Sequence, residues 1–201
     1  MRKLLLLFTA LVVTMLSFPM GTASAEYTIG IVGYGNRVKH TNIPDAALEQ
    51  AQNIFLDIMS TELAGVKGIT TVDPSERATQ ARIDEMCFQL ENGNPEKVIT
   101  NFSVHPDYLL YGYLANLTIT RRESLASQNL TVRADFTARV VDAKTKQVVA
   151  VASGTGIAES HGENIASSAT AFGEDEISRQ SWHDSVEKAL TEIGEKLRKK
   201  I

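Results

Sequence analysis

The chain has 201 residues, 43% of them hydrophobic, 22% charged and 6% aromatic, with a formal charge of −4. Those proportions exclude a disordered, collagen-like or coiled-coil chain, and 20 Lys and Arg against 24 Asp and Glu leave no basic footprint for a nucleic acid. The single cysteine, Cys87, rules out an internal disulfide and a cysteine-based zinc site.

Residues 1–25 read as a secretory signal peptide. Arg2 and Lys3 make a positive start, Leu4 to Leu16 an apolar run broken only by Thr9 and Thr14, and Ala23-Ser24-Ala25 a small-x-small cleavage pattern before Glu26. The run is shorter than the ~20 residues a membrane-spanning helix needs. Cleavage is expected after Ala25, leaving residues 26–201 as one acidic domain in the periplasm or outside the cell. No cysteine stands at the end of the apolar run, so no lipid anchor is expected, and no later run is long enough to span a bilayer as a helix.

Tyr27 to Gly33 is a nearly continuous apolar run, as in a strand covered on both faces. A polar loop, Tyr34 to Thr41, leads to Pro44 and Asp45 at a helix start, and Leu48, Ala51, Phe55, Ile58 and Met59 mark one face of that helix to about Leu63. Gly65 and Gly68 end it. Ile69 to Val72 is a second strand. Asp73 and Pro74 open a second helix that reaches Leu90, with Ile83, Met86, Cys87 and Leu90 at helical spacing; at that spacing Cys87 is a buried hydrophobe.

Strands follow. Asp107 to Thr120 places Tyr113, Ala115, Leu117 and Ile119 on one face. Leu130 to Val140 alternates strictly, with Leu130, Val132, Ala134, Phe136, Ala138 and Val140 inward and Thr131, Arg133, Asp135, Thr137 and Arg139 outward. A tight turn at Asp142 to Lys146 joins it to Gln147 to Gly156 as an antiparallel hairpin. After a polar loop, Ser160 to Gly173, a helix opens at Glu174-Asp175-Glu176 and buries Trp182, Val186, Ala189, Leu190, Ile193 and Leu197. The fold class is α/β: one three-layer-like domain with a mixed sheet, in the order β-α-β-α-β-β-β-α.

No catalytic, cofactor-binding or metal-ligating residue emerges from the motifs. Gly33-Tyr34-Gly35 lacks the third glycine and the acidic partner of a dinucleotide site. Ser185 and Lys188 match a β-lactamase motif in spacing without its companions. His40, His105, His161 and His183 are scattered, none three or four residues from another histidine; a hydrolase would need the fold to gather His105, His161 and carboxylates. Two features suit a binding surface: the tyrosines Tyr108, Tyr111 and Tyr113, and the two polar loops.

Several segments resemble, in order, the CsgG/LpoB-type domain of bacterial cell envelopes, also similar to the N-terminal domain of TolB. They are the opening strand Tyr27 to Gly33, the Ile69 to Asp73 strand before a charged helix, Pro106 to Gly112, and Val141 to Val149 followed by Ala152-Ser153-Gly154-Thr155-Gly156. The family carries glycine where the hairpin turn here has Lys146, a slot favouring left-handed backbone. The missing lipidation cysteine and the absence of two alternating strands in 120–129 and 160–173 depart from the CsgG pore, and the missing tether departs from LpoB. The resemblance implies the fold and a habit of working by protein–protein contact with envelope proteins or with itself, near curli-type secretion or wall-synthase regulation.

Overall fold

Strand β1 (Tyr27–Asn36) lies second from one edge of a five-stranded sheet and is buried from Ile29 to Gly35. The computed structural model describes residues 26–38, 43–75, 78–123, 128–162 and 176–201. The leader expected at 1–25 lies outside them, as do 39–41 of the polar loop expected at Tyr34 to Thr41 and 163–173 of the one expected at Ser160 to Gly173. Strand β2 (Ile69–Val72) pairs parallel with β1 on one side and β3 (Tyr108–Glu123) pairs parallel on the other; β4 (Gln128–Asp142) and β5 (Val148–Gly162) continue antiparallel, giving the order β2-β1-β3-β4-β5. Helices α1 (Asp45–Ala64) and α4 (Glu176–Arg198) cover one face, and α2 (Gln80–Glu91) with the four-residue α3 (Glu96–Ile99) covers part of the other. The architecture is the mixed α/β one expected, with α3 added just after Pro95.

The larger core joins Ile29 and Ile31, Leu110 and Leu114, and the whole inward stripe of β4 to Leu48, Phe55 and Met59 of α1 and to Trp182, Val186, Leu190 and Ile193 of α4. A smaller core on the opposite face joins Val32, Leu109, Tyr111 and Val141 to Ile83, Met86, Cys87 and Leu90. Each helix therefore buries the stripe that its 3.6-residue period presents.

Two β-bulges change the phase of strands that alternation alone reads as regular. Between Ile31 and Gly33 the pairing of β1 with β3 slips by one residue, so Tyr34 turns into the larger core beside Ile29 and Ile31 instead of opening a loop. The strand consequently reaches Asn36. Gly33 adopts φ +121°, and a Cβ there would lie 2.1 Å from Gln52 Nε2, so only glycine fits the bulge. A second slip between Leu114 and Asn116 leaves Ala115 as the extra, exposed residue of β3. Leu117 and Ile119 then share the core face with Leu110 and Leu114, whereas Tyr113 faces the other way. The expected Tyr113, Ala115, Leu117 and Ile119 face is thus split by the bulge.

The second helix also begins later than Asp73 and Pro74 suggest. Thr79 caps it, its Oγ1 accepting from Arg82 N at 3.4 Å, while Ser75 N donates to Asn101 O at 2.8 Å and holds the preceding segment as loop.

In the β4–β5 turn, Asp142 Oδ1 accepts from Lys144 N and Thr145 N, and Lys146 sits at φ 63°, the one non-glycine residue with positive φ among the described residues. That left-handed conformation costs a residue with a Cβ roughly 1–2 kcal/mol. Lys146 recovers part of it through an exposed ion pair with Glu96 at 3.1 Å. Lys146→Gly is expected to raise the melting temperature by about 1–3 °C, read by thermal denaturation; a decrease would show that the ion pair outweighs the backbone.

Candidate binding surfaces

Beyond Gly30, β1 has no strand neighbour on the β2 side among the described residues, because four-residue β2 pairs only with Tyr27–Gly30. The bared flank opens a cleft of about 750 Å³ between the N-terminal halves of α1 and α2. The crossover from β1 to β2 carries α1 over one face and that from β2 to β3 carries α2 over the other, and open α/β sheets present their ligand crevices at the carboxyl ends of strands beside such changes of side. Side chains take over the hydrogen bonds that a longer β2 would make. Gln52 Oε1 accepts from Tyr34 N at 3.0 Å, Gln80 Nε2 donates to Tyr34 O at 2.9 Å, and Asp84 Oδ1 accepts from Asn36 N at 3.1 Å. Tyr34 itself donates its hydroxyl to Leu48 O at 3.0 Å, and burial, then the nearby Asp84, push its pKa upward. Asp45, Glu49 and Asp73 line the walls, so the cleft suits a cationic group more than an anion. Sequence reasoning missed these residues, although one signal was present: Gln52 is a polar residue inside the apolar stripe of α1, and it is buried.

The second surface is the outer face of β3, β4 and β5 beyond Leu109, Tyr111 and Val141, which α2 and α3 cover. Its central row runs Asn116, Asp135, Thr155 across three strands. Asp135 accepts from Asn116 Nδ2 (3.1 Å), Arg133 Nε (3.1 Å) and Thr155 Oγ1 (2.7 Å). Burial would raise its pKa, but these bonds and the Arg133 charge outweigh burial and hold the carboxyl below the usual range. A depressed folded pKa contributes stability that is fully present above the unfolded value of about 3.9 and is lost as pH falls through the folded one. Asp135→Asn is therefore expected to narrow its deficit against the parent protein as melts are taken from pH 6 down to pH 3. A constant deficit would assign the effect to shape alone.

The three tyrosines do not form one surface. Tyr111 is buried in the smaller core, Tyr108 packs edge-on against Tyr27 with centroids 5.7 Å apart, and Tyr113 alone sits on the outer face. There Arg37 lies 4.1 Å from its ring centroid and Arg139 Nη2 donates to its hydroxyl at 3.2 Å, while Arg37 also pairs with Glu91.

Nor are the histidines gathered. His40 lies outside the described residues. His105 precedes the start of β3, whereas His161 Nδ1 sits 2.7 Å from Asn129 Oδ1 in the row that pairs with Arg122 at the far end. The length of β3 separates them, roughly 40 Å at the rise of a strand. His183 does have neighbours the His–His spacing test overlooked: its ring and the carboxylates of Asp184 and Glu187 lie within 4.8 Å of one another. Glu187 is exposed and His183 and Asp184 are half-buried, and acidic groups on a helix surface commonly cluster without an ion. Cys87 is buried; burial, and next Asp84, push its thiol up to about 12, so it is unreactive. No helix among the described residues is long and apolar enough to cross a membrane.

No protein-family model matches the chain, and no curated protein matches it. Solved structures do. The hypothetical protein CT253 from Chlamydia trachomatis is 12% identical, over 67% of this chain and 73% of its own, at a TM-score of 0.42. Lipoprotein GNA1162 from Neisseria meningitidis is 17% identical, over 70% and 88%, at 0.39. The LpoB C-terminal domain from Salmonella enterica is 16% identical, over 73% and 92%, at 0.29. Nothing about activity or partner follows from likenesses this distant.

Proposed function

We propose that the chain is an exported protein of the bacterial envelope, with a leader over 1–25 and a domain over 26–201, that works by contact with envelope proteins or with itself and not by catalysis. A role near CsgG-like curli secretion or LpoB-like regulation of a wall synthase is the finer form of the same reading. The observation that carries it is the uncovered outer face of the β3–β4–β5 ribbon, where Val151 and Ile157 stand 41% and 45% exposed among threonines, arginines and Asp135. A face that mixes exposed apolar and hydrogen-bonding side chains offers a partner both kinds of contact.

The test is photo-cross-linking in the protein's own cells, from a reactive side chain placed at Thr118 on the outer face and, as control, at Glu195 on the exposed side of α4. A self-ladder, or one envelope protein identified by mass spectrometry, captured from Thr118 alone supports the reading. Equal capture from both sites, or none, overturns it. A small-ligand role is the second reading, favoured by the cleft beside Gln52; native mass spectrometry would expose it as a retained mass.

A further inference from the structure

The strand register sets one end of the sheet apart. Tyr27 pairs with Ile69, Ile29 with Tyr108, Tyr108 with Asp142, and Val141 with Val148, so the starts of β1, β2, β3 and β5 come together. Between them runs a groove of about 290 Å³ lined by Tyr27, Ile69, Tyr108, Val149 and Ile201, with Lys67 and Lys200 also contributing. Tyr27, Val148, Val149 and Ile201 are all more than 40% exposed here, a concentration of bare apolar side chains.

The charge at this end is distinctive too. In an acidic protein it exposes Lys67, Lys144, Lys199 and Lys200, while most of its carboxylates are engaged, Asp107 with Thr28 N and Oγ1, Asp142 with the turn amides and Glu96 with Lys146, leaving Glu26 exposed beside Tyr27. Lys200 is partly committed, donating to Val151 O. The path of the chain points the same way. Ten residues separate Leu16, the end of the leader's apolar run, from Tyr27, a reach of at most about 35 Å. The leader expected over 1–25 would therefore join the domain at this end, at Tyr27.

We propose that this end seats on an anionic lipid surface. Tyr27, Val149 and Ile201 enter the headgroup layer, and Lys67, Lys144 and Lys199 meet lipid phosphates; apolar side chains ringed by lysines bind such surfaces by both forces at once. The proposal uses no residue of the Asp135 row; Val149 lies two residues from Val151 on β5, and the vesicle test, which needs no protein partner, separates it from the outer-face reading.

The test is vesicle sedimentation with protein purified after export and processing of the full chain. Vesicles of phosphatidylethanolamine and phosphatidylglycerol at 3:1 are compared with pure phosphatidylcholine. The parent protein is expected to sediment with the anionic vesicles only, and to be released by 0.5 M salt. Lys67→Glu with Lys199→Glu is expected to weaken binding at least tenfold, as is Val149→Asp, while Arg133→Glu on the outer face leaves it unchanged. The lysine pair lies on exposed positions outside the core, so its result stands even if Val149→Asp disturbs folding. Failure of the parent to sediment, equal binding by the lysine variant, or dimers formed through this end in place of vesicle binding would each overturn the proposal.

Discussion

Gly156→Ala is expected to lower the melting temperature by roughly 10 °C, the consequence of losing about 3 kcal/mol or more. A Cβ at Gly156 would lie 1.6 Å from Ser185 O and 2.6 Å from the same carbonyl carbon; at Gly154 it would lie 2.1 Å from Ala189 O. These obstacles are helix backbone, which no rotamer change can move. Relief requires α4 to lift off β5, and α4 is tied down elsewhere: Trp182 Nε1 donates to Ala47 O at 3.1 Å, and Ser181 Oγ donates to Ser160 Oγ at 2.9 Å. Lifting the helix would also open the packing of the fully buried Trp182. Because Trp182 is the only tryptophan, its fluorescence can follow the transition directly. A melting temperature within 2 °C of the parent would mean that α4 shifts freely, against the interlocked core described above.

The same contact explains a pattern that was visible in the sequence without its reason. The inner face of β5 reads Ala150, Ala152, Gly154, Gly156, Ala158, all buried. Small side chains at alternate positions let the axis of a helix come unusually near a strand. The period of residues reveals which face is buried, but not how closely the covering element lies. Periodicity was a sound guide where one element packs by a single uninterrupted period, as in the β4 stripe, the α4 stripe, and Ile83, Met86, Cys87 and Leu90 of α2. It failed where a bulge resets the phase, at Gly33 and Ala115, because a one-residue slip moves every later side chain to the opposite face. The cleft was legible only as one polar residue, Gln52, in an apolar stripe. Its existence depends on β2 being shorter than β1, a property of pairing across distant segments. The charged end of the sheet was invisible for the same reason: Tyr27, Lys67, Val149 and Lys199 are far apart in sequence and adjacent only through register.

Replacing Lys188, Glu192, Lys196 and Lys200 together by alanine is expected to cost about 2 kcal/mol and to make the protein self-associate with rising concentration. Strand β5 is a fifteen-residue edge of the sheet, and a long free edge invites pairing with another chain. Here the edge is closed by side chains of α4. Lys188 Nζ donates to Ile157 O (3.1 Å), Lys196 Nζ donates to Ser153 O (2.7 Å), Lys200 Nζ donates to Val151 O, and Glu192 Oε2 accepts from Thr155 N at 2.9 Å. The geometry matches because four helical residues rise about 6.0 Å while two strand residues rise about 6.6–6.8 Å, so one side chain per turn meets each outward backbone group. The chemistry matches as well, with ammonium groups on carbonyls and the single carboxylate on the N–H. The Lys196 ammonium, then the Thr155 amide, hold the Glu192 carboxyl below its ordinary range. Each bond is solvent-exposed and worth about 0.5 kcal/mol, which sets the expected stability loss; the larger effect is on association, because four bared groups act as one template. Light scattering coupled to size exclusion, with parent and variant each taken across a hundredfold concentration range, separates the two effects. A variant that loses stability yet stays monomeric throughout would show that the bulk of α4 guards the edge and that its charged side chains only add to it.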